Sequence, residues 1–319
     1  MKEKLKKVDL SNASALIVLI VLCIALTIAE PAFGSFANLI NILQQVTVMA
    51  VLALGVNVVI FTGGIDISVG SVVAFTGIVM GKIIVEAGMP DIVGIIAAVL
   101  VGAACGAFNG IMISKFKLQP MIATLAMMSM ARGAAYTLAD GQTITGYSDA
   151  FRWIGVATIP GTQIPVQIIF MILLYTLFYY IMKYRKFGRY IYSIGGNEEA
   201  TRLSGINVDK YKTLAYMVSG LCAGIASVIL VAKLNSAQSV AGLDYEMDAI
   251  ASCVIGGTSL LGGFGSVWGT FVGSIIMIVI RNGLNLLNVS SNLQKLVIGI
   301  VILLAVLADS IRNKAAAKK

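Results

Sequence analysis

Few residues in this chain could do chemistry, and one of them is an aspartate among apolar neighbours. Asp66 stands in TGGIDISVGS (62–71), between two long apolar runs. Gly63, Gly64 and Gly70 permit a backbone break there, and Ser68 and Ser71 add hydroxyls. Ionisable groups set among membrane spans are costly and usually functional. Two uses are open. Asp66 or Ser68 can cap the helix that follows by accepting one of its first N–H groups, or Asp66 can line a path for a polar solute. Only the second expects Asp66→Asn to change solute preference. A second break, GGTSLLGGFGS (256–266), holds Gly256, Gly257, Thr258, Gly262, Gly263 and Gly265. Both breaks follow an apolar run and end in a Gly-Ser pair that opens the next. Around them, VGSVVAFTG and FGSVWGTFVG look like distant copies, as in transporters built from related halves with broken helices.

The remaining inventory excludes most catalysis. There is no histidine, and Cys23, Cys105, Cys222 and Cys253 lie far apart in apolar stretches, which suits packing rather than metal or disulfide chemistry. No GxxxxGK[ST] occurs, so the chain carries no phosphate loop of its own. GGFGSVWG lacks the preceding strand and downstream acid of a dinucleotide fingerprint. No nucleophile–base pair stands out. Arg132, Arg281 and Lys82 are expected to snorkel toward headgroups, and Met127, Met128 and Met130 to pack. Asn109, Asn282 and Asn285 can bond either solute hydroxyls or neighbouring helices.

The segment KYRKFGRYIYSIGGNEEATRLSGINVDKYK (183–212) specifies a small element. Gly195 and Gly196 break the chain, Asn197 is a favourable N-cap, and Glu198 and Glu199 face the positive end of the helix dipole. Ala200, Thr201, Arg202, Leu203 and Ser204 continue the turn, and Gly205 ends it as a left-handed cap. The result is a helix of roughly two turns. A second start follows, with Asn207 as N-cap and Asp209 in the first turn. So short a helix must dock on something. Only Ala200, Leu203 and Ile206 offer an apolar edge, which favours a partner protein over the membrane surface.

These residues need a frame, and composition supplies it. The chain has 319 residues, 58% hydrophobic and 12% charged, with a net charge of +8 and a mean hydropathy of +0.93. A soluble domain would carry more charge. Apolar runs long enough to cross a bilayer are expected at 13–30, 39–61, 67–86, 91–114, 119–138, 165–183, 212–233, 246–261, 267–287 and 293–309. The fold class is therefore an all-α, polytopic helical membrane bundle of about ten spans, forming a single transmembrane domain over 1–319. Basic residues gather at 2–7, at Lys115 and Lys117, at 183–212 and at 312–319, while EPAFGSFAN, AGMP, 139–164, LNSAQSVAGLDY and NVSSN hold almost none. Positive-inside asymmetry then places both termini in the cytoplasm, and the charge reads as topology, not as a nucleic-acid surface. The first span is expected to stay uncleaved, since AEPAFGSF offers no cleavage site. The eighth span is the weakest, and a re-entrant variant is open there. This alternation gives both glycine-rich breaks one orientation, which an inverted repeat does not predict.

Several blocks, in order from Asn38 to Asp309, resemble the permease subunits of ribose-type ABC sugar importers. They are NILQQVTVMAVLALGVNVVIFTGGIDISVGS, QPMIATLAMMSMARG, GRYIYSIGGNEEATRLSGINV, YEMDAIASCVIGGTSLLGGFGSVWGT and RNGLNLLNVSS. The resemblance implies a multi-pass protein of the bacterial cell membrane that pairs with a second permease copy. It also implies an extracytoplasmic sugar-binding protein outside and, inside, an ATP-binding subunit with fused ATPase domains. ATP and Mg would be used by that subunit, with no cofactor in this chain. The ATPase contact is carried to Gly195–Gly205, within a coupling segment at 184–211, and the long outer loop at 139–164 caps the path or receives the binding protein. From another functional class, an ion-coupled secondary transporter is the alternative. It would be expected to carry more carboxylates or histidines at mid-bilayer than Asp66 alone.

Overall fold

Apolar runs with no water to bond their backbone have one local solution, the helix. The computed structural model describes residues 2–317 and is almost wholly helical. The helices are α1 (Lys2–Ala29), α2 (Phe36–Phe61), α3 (Val69–Gly81, prolonged by a π turn, Lys82–Glu86) and α4 (Asp91–Ser114). Next come α5 (Pro120–Ala139), α6 (Asp149–Val156), α7 (Val166–Tyr184), α8 (Lys186–Gly196) and α9 (Glu198–Leu203). The chain finishes with α10 (Val208–Leu234), α11 (Tyr245–Ile255), α12 (Val267–Leu286) and α13 (Ser291–Ala317). Among the described residues seven helices are long and apolar enough to cross a membrane: α2, α3 with its π turn, α4, α7, α10, α12 and α13. α1 adds the shorter apolar stretch Ala15–Ala29, and α5 supplies 20 residues. The polytopic helical class expected from composition is the one observed.

The eighth expected span, 246–261, is the departure. α11 has 11 residues, about 17 Å of helix against a hydrocarbon core of about 30 Å. Residues 235–244 turn back into the bundle, so that Gly242 meets the backbone of Gly70. Arg132 holds this re-entrant loop, its Nη1 donating to the carbonyls of Ser239 at 2.7 Å and Ala241 at 2.8 Å. Arg132 thus bonds inward rather than snorkelling. Beyond Ile255 the glycines leave helical geometry, which is why the helix stops there.

α2 forms the centre, buried without interruption from Val46 to Phe61. α4 and α10 pack closest. On α4, a Cβ at Gly102, Gly106 or Gly110 would strike the α10 backbone, and one at Gly220 or Gly224 of α10 would strike α4. Small residues spaced by four bring helices into van der Waals contact, the main attraction available in lipid. Met127 and the buried Cys222 and Cys253 pack in this core, and all four cysteines are free. α4 and α13 turn Ile92, Ile96, Leu100, Leu296, Ile300 and Leu303 outward, as lipid-facing helices do.

The connecting segments sort into two ends. At one, β1 (Ile144–Thr145) pairs antiparallel with β2 (Ser236–Ala237), and the Ser148 hydroxyl donates to Asp91. α6 lies against the end of α10, with Gly155 on the Ala232–Lys233 backbone and Phe151 buried. At the other end Lys117 pairs with Asp209 at 3.0 Å, and Ser114 bonds Thr213. Segments assigned to one side by charge alternation therefore share an end. Of the basic tails used in that assignment, the side chains of 2–7 and 312–319 lie outside the described residues.

Candidate functional site

The short capped helix forms as its residues dictate. Asn197 Oδ1 accepts from the Ala200 N–H at 2.9 Å, and the chain leaves α9 at Gly205 with φ +80°. Only glycine adopts that conformation without strain. Asn207 caps α10 by accepting from Lys210 N–H at 3.0 Å. Four ion pairs tie the element down: Lys117–Asp209, Arg202–Asp209 and Arg202–Glu198, with Glu198 also paired to Lys212. Burial of Glu198 opposes its ionisation, and Lys212 and Arg202 more than offset this, so its carboxyl sits below its ordinary value. Arg202, against a slight opposing effect of burial and with help from Lys117, does the same for Asp209. Thr201 faces inward, while Glu199, Ala200, Leu203 and Ser204 face out. Leu203 is 84% exposed.

The break in the chain is not where the glycines suggested. α8 continues through Gly195 and Gly196, and the backbone turns at Asn197, with φ −162°. The glycines serve close approach instead. A Cβ on Gly195 would run into the Phe61 carbonyl and the Gly263 N–H. Gly263 donates to the Phe61 carbonyl at 3.0 Å, Gly262 packs on Gly63, and the ring of Tyr192 of α8 lies tilted against that of Phe61 with centroids 4.6 Å apart. Both glycine-rich breaks thus meet at one end of the bundle, with the end of α8 seated between them. Thr258 joins them further by donating to Asn57 at 2.8 Å, while Gly265 lies over Phe61 and Gly256 over Gly269.

Asp66 is enclosed, at 1% exposure. Its Oδ1 accepts from the Ser68 N–H at 3.0 Å and the Ser68 hydroxyl at 2.6 Å, and its Oδ2 from Ser219 at 2.8 Å. Asn109 donates to the Ser68 hydroxyl at 3.1 Å. Ser68 occupies the N-cap of α3 but makes no side-chain capping bond. Asp66 therefore binds the residue ahead of the helix and links it to α10, which corrects the simple capping reading. Gly64 packs against the Tyr216 hydroxyl, and Ser71 is buried. The other asparagines bond helices: Asn282 and Asn38 exchange two hydrogen bonds, and Asn285 accepts from Gln294.

Three ionisable residues inside the bundle, two of them buried, escaped sequence reasoning or were misplaced by it. Arg281 pairs with Asp248 at 2.6 Å rather than snorkelling, and Asp248 is 1% exposed. Glu246, in the first turn of α11, is buried beside Gly70. Asp66 is thus not the only acid inside the bundle. The missed signal was the spacing of Glu246 and Asp248 in an otherwise apolar segment, which reads as the rim of a full span unless the helix starts halfway.

Comparison with known proteins places these features. The family model described as "Branched-chain amino acid transport system / permease component" matches residues 38–306. The chain is 45% identical over 309 residues to the ribose import permease protein RbsC of Escherichia coli (strain K12), covering 95% of each. It is 43% identical over 300 residues to RbsC of Bacillus subtilis (strain 168), covering 93% of this chain and 92% of that protein. To the D-allose transport system permease protein AlsC of Escherichia coli (strain K12) it is 34% identical over 298 residues, covering 93% and 91%. No solved structure matches it.

Proposed function

The chain belongs to the branched-chain amino acid transport system / permease component family, and on that premise we propose that it is the membrane-spanning subunit of an ABC importer carrying a small sugar, ribose first. It is a transport component, not an enzyme, and a multi-pass protein of the bacterial inner membrane. Greater identity to the ribose permeases than to the allose permease supports ribose as cargo. The finer reading concerns partners. A separate ATP-binding subunit with fused ATPase domains hydrolyses ATP with Mg inside, a sugar-binding protein delivers cargo outside, and a second permease copy completes the pathway within the lipid. Ten passes with both termini inside, the eighth made by the 235–244 loop and α11 together, fit this arrangement.

One observation carries the coupling assignment: α9 is capped at both ends and ion-paired to its own bundle, yet leaves Leu203 uncovered. An exposed leucine on a rigid, polar helix suits a protein groove. Closure of the partner ATPase on ATP would push α9, and the end of α8 between the glycine-rich breaks would pass that displacement to α2, α3 and α11. The permease makes and breaks no bonds. It supplies a path with two arrangements whose populations the partner shifts.

Proteoliposomes holding this chain, its ATPase and the binding protein test the proposal. Sugar uptake requires ATP and both partners. Uptake by this chain alone, driven by a proton or sodium gradient, would establish the ion-coupled alternative.

A further inference from the structure

A carboxylate that the coupling scheme leaves unused stands halfway through the bundle. Glu246 is 7% exposed, and its Oε2 has no hydrogen-bond partner among the described residues. The first turn of α3 lies against that oxygen, since a Cβ on Gly70 would strike both Oε2 and the Gly242 carbonyl. The depth follows from α10. Asp66 bonds Ser219, about 17 Å from the start of that helix, and the Val73 carbonyl accepts from Ser227, about 29 Å along it. Gly70 falls between, near the middle of a helix about 40 Å long.

Here two helices begin. α3 and α11 each present first-turn N–H groups that no helical carbonyl satisfies, and both start at the level of Glu246. Arg132 reaches the same place from the middle of α5 and fixes the re-entrant loop. On that loop's outer side a small cavity between α3 and α10 is bounded by Gly77, Ser227, Ser236, Gln238 and Ala241. A buried acceptor with unfilled capacity is costly until a donor arrives. Two helix N-termini and a guanidinium favour a neutral donor over a cation, and a hydroxyl is the neutral group that gives a proton to a carboxylate and accepts one from N–H. We propose that Glu246 is a sugar-hydroxyl acceptor of the translocation path, holding cargo midway across, with Arg132 as the positioning residue for the loop that closes over it. This rests on the sugar-permease reading. The closed seam of Gly70 and Gly242 is the occluded arrangement, and α11 runs from it to the break that α8 touches.

The test is uptake of ribose and of deoxyriboses that each lack one hydroxyl, in the full reconstituted system, with Glu246→Gln and Glu246→Ala. The ratio of variant to wild-type kcat/KM is taken sugar by sugar, so the binding protein's own preference cancels. Glu246→Ala is expected to lower ribose uptake roughly ten-fold more than uptake of the analogue lacking the contacted hydroxyl. Glu246→Gln, which keeps one acceptor oxygen, is expected to fall between. A purely structural role lowers every sugar equally, and equal ratios across the series in both variants would overturn the proposal. Should Glu246→Ala fail to co-purify with the ATPase, the isosteric Gln variant decides by the same ratios. Absence of ATP-dependent uptake in the wild type would instead overturn the permease reading.

Discussion

Arg281 and Asp248 illustrate how a charge is kept inside apolar surroundings. Each makes the other tolerable, and neither stands free in lipid. Arg281→Leu is expected to cost about 3–5 kcal/mol, because Asp248 is left buried and unpaired. Replacing both by apolar residues should cost far less. Thermal unfolding in detergent separates the two cases, and equal losses would deny that the pair acts as a unit. Leu203 has the opposite character. With 84% of its surface exposed, Leu203→Glu should change stability by no more than about 0.5 kcal/mol while weakening capture of the ATPase. Undiminished capture after disrupting both Leu203 and Gly205 would remove the coupling assignment. Gly195 admits no side chain at all. Gly195→Ala is expected to force α8 off the two breaks, measurable as ATP hydrolysed per sugar carried, and an unchanged ratio would show that α8 transmits nothing.

α9 is too short to hold itself, and its ion pairs decide when it is ordered. Glu198 and Asp209 both have depressed carboxyl values. Their pairs therefore stabilise the folded segment above the ordinary carboxylate range of about 4 and lose that contribution as pH falls through the lower folded values. Each pair is partly exposed and screened by solvent, so the effect is local. Amide exchange at 198–205, corrected for its intrinsic pH dependence, should stay constant from about pH 5 upward and rise only below about pH 4. Loosening near pH 6 would mean that the pairs are not what orders the helix. α11 depends on a different restraint. Its N-terminus is placed by the loop that Arg132 grips, so Arg132→Met should loosen 238–245 more than any other segment.

The arrangement of both ends of the bundle can be read directly in cells. In a chain stripped of its four cysteines, Thr145→Cys and Ser236→Cys should react with a membrane-impermeant maleimide from outside, and Ser204→Cys only after permeabilisation. Labelling of Ser204→Cys in intact cells would reverse the orientation. The sequence by itself determined the membrane class, the grouping of segments at each end of the bundle and the caps at Asn197, Gly205 and Asn207, because hydropathy, charge and capping act within a turn or a span. Only the tertiary structure decided that α11 begins halfway, that Gly195 is a seat rather than a break, and that Arg132, Glu246, Asp248 and Arg281 lie at depth. Those facts depend on which helix faces which. A carboxylate at the rim of a span and one at the start of a half-span have the same neighbours in sequence, and differ only in the distant residues that surround them.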